Sequence, residues 1–167
     1  MTPLLLQFIS ESRDLLQDIS EQLLKAEKTD DKQTTVTELF RLVHTLKGNT
    51  GLFEFPDLTR VLHAAEDLMS ETRENPELWS QRLTDLLFEA MDYVSQFCDK
   101  IEETDGNPVA DTKAATQLEA QLRAQIGVAG AASGSEADKP TTEGESEPKE
   151  AVAETKKEST KKPAAKK

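Results

Sequence analysis

His44 lies in the run RLVHTLKGNTG, residues 41–51, inside a stretch whose apolar residues recur at helical spacing. At about 100° per residue, its side chain projects roughly 120° from the centre of the apolar stripe, onto the solvent side. A neutral imidazole offers a nitrogen lone pair near pH 7, so it attacks a phosphoryl group without first losing a proton to a strong base. Arg41 at i−3 and Lys47 at i+3 flank it as cations able to offset phosphate charge. Gly48 follows at i+4 and Gly51 at i+7. Two glycines inside a helix cost about 1 kcal/mol each relative to alanine. They therefore call for a reason, and access for another protein's active site beside His44 is one.

A second group of chemically capable residues is HAAE, His63 to Glu66. Spacing of i, i+3 puts both side chains on adjoining surface, away from the stripe of Leu58, Val61, Leu62 and Ala65. Arg60, three residues before His63, extends that surface. If the stretches carrying His44 and Glu66 form an antiparallel hairpin, a carboxylate can accept the Nδ1–H of His44. That bond fixes the tautomer, leaves Nε2 as the nucleophile and stabilises imidazolium-like charge during transfer.

Five helical patterns position these residues. The first runs from Pro3 through Leu5, Phe8, Leu16, Ile19 and Leu23; proline is cheap at a helix start, where its missing N–H would be unpaired anyway. The second holds Val36, Leu39, Val43 and Leu46 and reaches Phe53, with Thr35 and Glu38 at capping-box spacing near its start. The third follows Pro56. Asn75-Pro76 ends it and opens the fourth, from Trp79 to Ile101. Asp105-Gly106-Asn107-Pro108 is a turn. A weaker fifth pattern holds Ala115, Leu118, Leu122 and Ile126. No segment shows sustained strand alternation. Short connections make neighbours antiparallel, so an all-α, antiparallel four-helix bundle with an added C-terminal fifth helix is expected over residues 1–127. Residues 128–167 read as a disordered, low-complexity linker, because Gly, Ala, Ser, Glu, Lys, Pro and Thr bury too little apolar area to offset ordering entropy.

Residues 127–167 carry eight acidic residues and eight lysines, so the whole net charge of −12 sits on residues 1–126. Nucleic-acid binding or membrane adsorption through a basic surface is not expected of such a domain. No apolar run approaches the roughly 18 residues of a membrane span. The opening MTPLLLQFIS lacks a basic stretch and Glu11 soon interrupts it, so no secretory signal is expected. Cys98 is the single cysteine and cannot form an internal disulfide, which fits a reducing, cytoplasmic setting.

RLVHTLKGNTGLF, followed nineteen residues after its histidine by LHAAEDLM, resembles the N-terminal histidine-phosphotransfer (HPt) domain of CheA-type chemotaxis kinases. The likeness covers residues 1–126 and departs from the family pattern at Asn49, Thr50 and Glu54. It implies that His44 is the phosphoacceptor, that Glu66 bonds its Nδ1, and that Lys47 and His63 complete the site. It also implies two partners: an ATP-binding histidine kinase domain as donor and a CheY-like or CheB-like response-regulator receiver as acceptor. No cofactor is expected in this chain, ATP and magnesium being held by the kinase domain, and the isolated domain is expected to be a monomer. The tail resembles the linker that follows this domain in such kinases, so a fragment of a longer kinase is expected, with a free-standing phosphorelay shuttle as the alternative.

Two other classes compete. A metal-binding bundle could use His44, His63 and Glu66, although the sequence lacks the Glu-x-x-His pairs of di-iron bundles. A plain helical adaptor would tolerate loss of His44. Kinase activity by the chain itself is not expected, since KGNTG is not the GxxxxGK[ST] loop that cradles phosphates between strand and helix.

Overall fold

The computed structural model describes residues 1–109 and 111–132, with side chains through residue 127. Five α-helices follow one another: α1 (Pro3–Lys28), α2 (Lys32–Thr50), α3 (Pro56–Glu74), α4 (Gln81–Glu103) and α5 (Thr112–Ala132). Among the described residues there is no strand. A 3-10 turn, Pro76–Leu78, bridges α3 and α4.

The helix starts follow from local chemistry. Thr2 accepts the Leu5 N–H at 3.3 Å ahead of Pro3. Ser80 caps α4 by accepting the Leu83 N–H at 3.2 Å. For α2 the expected Thr35–Glu38 box does not form. Asp31 caps instead, accepting the Thr34 N–H at 3.1 Å. Thr35 is buried inside the helix and its hydroxyl donates back to the Asp31 carbonyl at 3.0 Å. The carboxylate of Asp31, four residues earlier, satisfies the unpaired N–H group before Thr35 is reached.

Each of the first four helices packs on two others of the four, α1 on α2 and α4, and α3 on α2 and α4, which closes a four-helix bundle. Cross-helix contacts give the directions. His44 meets Glu66 and Gln33 meets Arg73, so residue numbers rise on α2 as they fall on α3. Arg13 meets Asp99 and Glu102, while Gln81 meets Glu27, which makes α1 and α4 antiparallel too. The fifth helix packs against α3 and α4. Its pairs advance together with α3: Asp57 with Thr112, Arg60 with Thr116, Asp67 with Arg123. It therefore runs parallel to α3.

Fully buried leucines, isoleucine and methionine fill the interior, among them Ile19, Leu39, Leu62, Met69 and Leu87. Two expected element assignments change. Phe53 lies outside α2, which ends at Thr50, and Trp79 lies between the 3-10 turn and α4. Phe53 instead joins an aromatic cluster at the α2–α3 connection, 4.9 Å from Phe8 and 5.7 Å from Phe55 by ring centroids. Phe55 reaches Phe97 of α4 at 5.1 Å. This cluster anchors the connection that sets where α2 stops and α3 begins. The Asp105–Gly106 turn forms as expected, with positive φ at both residues. Helix α5 continues past residue 127 to Ala132, because its alanines favour helix and glycine weakens but does not end it. The rest of the expected linker, from residue 133, lies outside the described residues.

Leu122 of α5 is fully buried against the bundle. Leu122→Ala is expected to lower the free energy of unfolding by about 2–5 kcal/mol, as deletions of buried methyl groups do. Urea unfolding followed by circular dichroism checks this; a change under about 0.5 kcal/mol, the range of ordinary surface substitutions, would show that α5 is not part of the core.

Candidate functional site

The site is built across the α2–α3 seam. Val43 and Leu46 of α2 and Leu62 and Ala65 of α3 are all fully buried. Burying those residues turns His44 and Glu66 toward the outer edge of the same seam. There the Nδ1 of His44 lies 2.7 Å from Oε1 of Glu66. The His44 side chain keeps 60% of its exposure, whereas Glu66 keeps 13%. Lys47, one turn after His44, places its Nζ 2.5 Å from the other oxygen, Oε2, of Glu66.

This arrangement fixes the proton. Burial pushes the Glu66 carboxyl pKa up, but hydrogen bonds from Lys47 and His44, and their charges, outweigh that and hold it below its ordinary value. An ionised carboxylate only accepts hydrogen bonds. The Nδ1 of His44 must therefore be the donor, and in the neutral ring the lone pair resides on Nε2. The ammonium of Lys47 uses one of its three donors on Glu66 and retains two. The imidazole also rests on an aromatic neighbour: Phe40, one turn earlier, stacks on it at 5.9 Å and 20°. The guanidinium of Arg73, from α3, lies 4.0 Å from the Phe40 ring centroid.

Of the residues expected from sequence, the structure brings together His44, Glu66 and Lys47. Arg41 is on the same helix but pairs with Glu38 at 3.2 Å and points into solvent. Gly48 lies within α2, and a side chain there would meet nothing within 4 Å, so the surface beside His44 is open. Gly51 is not inside the helix as expected but caps its C-terminus, its N–H donating to the Gly48 carbonyl. It therefore carries no helix-interior cost. His63 is exposed and makes no hydrogen bond to His44 or Glu66 among the described residues. It lines a separate open groove between α3 and α5 with Phe55, Arg60, Glu119 and Arg123. Arg60 is turned away from His44 because α5 supplies better partners: its guanidinium donates to the Thr116 hydroxyl at 2.9 Å and lies 3.5 Å from Glu119. Phe40 and Arg73 are site neighbours that the sequence motifs do not mark. The signal was available, since Phe40 stands at i−4 from His44 and Arg73 at i+7 from Glu66, both on the faces that carry the site.

The metal reading finds no donor set. Both oxygens of Glu66 are engaged by His44 and Lys47, and among the described residues no group of three His, Cys, Asp or Glu is placed to hold an ion. Cys98 is buried, and burial pushes its thiol up to about 11, which leaves it an inert packing residue.

Two outcomes test the His44–Glu66 bond. Nitrogen-15 NMR of the imidazole should show Nδ1–H dominant in the parent and a mixed population in Glu66→Ala; an unchanged ratio would remove Glu66 as the orienting group. The second concerns pH. Because the folded carboxyl is held low, its contribution to stability is complete above the ordinary carboxylate value and is lost as pH falls through the lower folded value. The stability difference between the parent and Glu66→Gln should therefore be full at neutral pH and close in strong acid, as read by urea unfolding across that range. A gap that widens in acid would contradict the ionised assignment.

Comparison with known proteins gives the family and the fold. Residues 3–97 match the Hpt domain family. The chemotaxis protein CheA of Halobacterium salinarum is 36% identical over 98 residues, which are 58% of this chain and 14% of that protein. CheA of Listeria monocytogenes is 31% identical over 116 residues, 69% of this chain and 19% of that protein. CheA of Bacillus subtilis is 33% identical over 94 residues, 56% of this chain and 14% of that protein. The chain thus spans less than a fifth of the length of these relatives. Its fold is shared with the phosphorylated P1 domain of CheA3 in complex with CheY6 from R. sphaeroides, at 22% identity and a TM-score of 0.68, over 77% of this chain and 99% of that one. No helix among the described residues is long and apolar enough to cross a membrane. The family match covers more than half of the sequence and includes His44, Lys47 and Glu66: the chain belongs to the Hpt domain family.

Proposed function

We propose that this domain carries a phosphoryl group on Nε2 of His44, taking it from the ATP-binding domain of a CheA-type kinase and giving it to a response-regulator receiver. One observation carries the reading. His44 is tied at Nδ1 to a carboxylate, while the remainder of its ring is exposed on a rigid helix. The similarity to CheA supports the kinase as donor, and the receiver is proposed by analogy with the CheA3 P1 domain seen bound to CheY6.

The chemistry follows from the atoms present. In the first transfer the Nε2 lone pair forms an N–P bond to the γ-phosphorus of ATP as the bond to the bridging oxygen breaks, and ADP leaves with that electron pair. The ring then carries positive charge, which the Glu66 carboxylate stabilises through Nδ1–H. The two spare donors of Lys47 lie one turn away and offset charge on the phosphoryl oxygens. In the second transfer a receiver aspartate oxygen forms the new P–O bond, the N–P bond breaks, and its electrons return to Nε2. The open surface at Gly48 admits the partner's cleft. Nucleotide and magnesium belong to the kinase partner in this reading, and the site of action is cytoplasmic. His63 and Arg60 line the α3–α5 groove, outside the His44–Glu66–Lys47 contacts.

The test uses labelled ATP and the full chain. With magnesium alone the chain should stay unlabelled. Addition of the ATP-binding core of a CheA-type kinase should label it at an acid-labile site, and a receiver should then remove the label. His44→Gln should fold and take no label, whereas Glu66→Ala should be labelled roughly 10–100-fold more slowly, because the nucleophile remains but is misoriented. Normal labelling of His44→Gln would refute the assignment.

A further inference from the structure

The hydrogen bond at Nδ1 fixes one atom of the His44 ring. It leaves the ring free to pivot about the line to Glu66, and pivoting swings Nε2. A second contact is needed to fix where the lone pair points. Phe40 supplies it: the two rings stack at 5.9 Å between centroids and 20° between planes, within the offset-stacked range of about 4.5–7 Å.

Phe40 is itself held. The Arg73 guanidinium lies 4.0 Å from its ring centroid, at cation–π distance. The main chain of Arg73 is tied to α2 by Gln33, whose side-chain amide donates to the Arg73 carbonyl at 3.1 Å. Among the described residues, Arg13, Arg41, Arg60, Arg82 and Arg123 each have a carboxylate in ion-pair range, and Arg73 has none. Its guanidinium rests on the Phe40 face.

We infer that Phe40, clamped by Arg73, is a positioning residue that sets the orientation of the His44 ring for phosphoryl transfer. The inference rests on the reading of His44 as phosphoacceptor. Glu66 sets which nitrogen carries the proton, and Phe40 sets where the other nitrogen points. Two independent contacts on one ring give the near-attack geometry that in-line transfer requires. Phe40 also packs partly against the core, so the test must separate aromatic stacking from apolar burial.

Phe40→Leu keeps apolar contact and removes the stack; Phe40→Tyr keeps the ring. Arg73→Gln, at a half-exposed position, removes the clamp without touching the core. In the full chain, NMR of His44 should show that Phe40→Leu abolishes the ring-current shift of the imidazole protons and averages the side-chain couplings. The Nδ1–H tautomer should persist, because Glu66 is intact. With a CheA-type kinase core and ATP, kcat for labelling should fall roughly tenfold with KM for the kinase core unchanged, since a misplacement of about 1 Å can cost up to about 100-fold. Phe40→Tyr should restore both signals, and Arg73→Gln should shift both part of the way. Parent-like couplings in Phe40→Leu, a loss confined to KM, or no rescue by tyrosine would each overturn the inference. If Phe40→Leu does not fold, parent-like couplings and kcat in Arg73→Gln would overturn it. Failure of the phosphoacceptor reading is seen separately, as continued labelling of His44→Gln.

Discussion

The bond between Nδ1 of His44 and Oε1 of Glu66 crosses from one helix to another, and a 2.7 Å contact of that kind tolerates little error. A one-residue slip of α3 along α2 would move Glu66 by about 1.5 Å and turn it by about 100°, which breaks the bond. The bundle exists, in effect, to hold that register. Val43 and Leu46 of α2 and Leu62 and Ala65 of α3 are buried in one core, and close-packed side chains resist sliding by even a fraction of a turn. The Phe8–Phe53–Phe55–Phe97 cluster fixes the length of the connection between the two helices. On its far side, α3 is braced by α5, with Asp57, Arg60 and Asp67 each bonded across.

Electrostatics then decide which form of the site persists. The domain is acidic, so a further carboxylate near the reacting atoms would by itself repel an incoming phosphoryl group. Lys47 resolves the conflict by pairing with Glu66 on the oxygen that His44 does not use. The pair is neutral, yet the carboxylate remains an ionised acceptor for Nδ1–H. Glu66 is largely buried and His44 largely exposed. Low local dielectric thus strengthens the orienting bond, while the Nε2 face of the ring stays in water.

Much of this was legible in the sequence because it depends on local period and spacing. Five apolar patterns became five helices, and the i, i+3 relation of His44 and Lys47 carried directly into the site. What was illegible depends on competition between partners. Thr35 and Glu38 have capping-box spacing, but Asp31 caps first, and only the chain path shows that. Arg60 stands three residues from His63 on the right surface, but α5 offers Thr116 and Glu119, and no periodicity reveals where a fifth helix docks. Gly51 reads as a helix-interior glycine because the apolar pattern continues to Phe53; the helix ends at Thr50 because Phe53 is drawn into the aromatic cluster. Phe40 reads as one more apolar residue, since its second role comes from Arg73, seven residues beyond Glu66 on another helix.

The division of labour within the site explains why so small a domain suffices. A phosphoryl carrier must be rigid toward its own fold and open toward two different partners. Rigidity comes from one side of the His44 ring: a hydrogen bond at Nδ1, an aromatic face, and a helix backbone that cannot flex without breaking its ladder. Openness comes from the other: Gly48 leaves space beside the ring, and most of the side chain is unburied. A nucleotide cradle, a metal and water exclusion are needed only at the instant of transfer, and each can be supplied by the partner's cleft. In the proposed role, placing the orienting groups beneath the histidine, with its outer face open among the described residues, would let the same nucleophile enter one cleft as acceptor and another as donor. The preorganisation is built once, in the α2–α3 seam, and under the proposed function it would serve both directions of transfer.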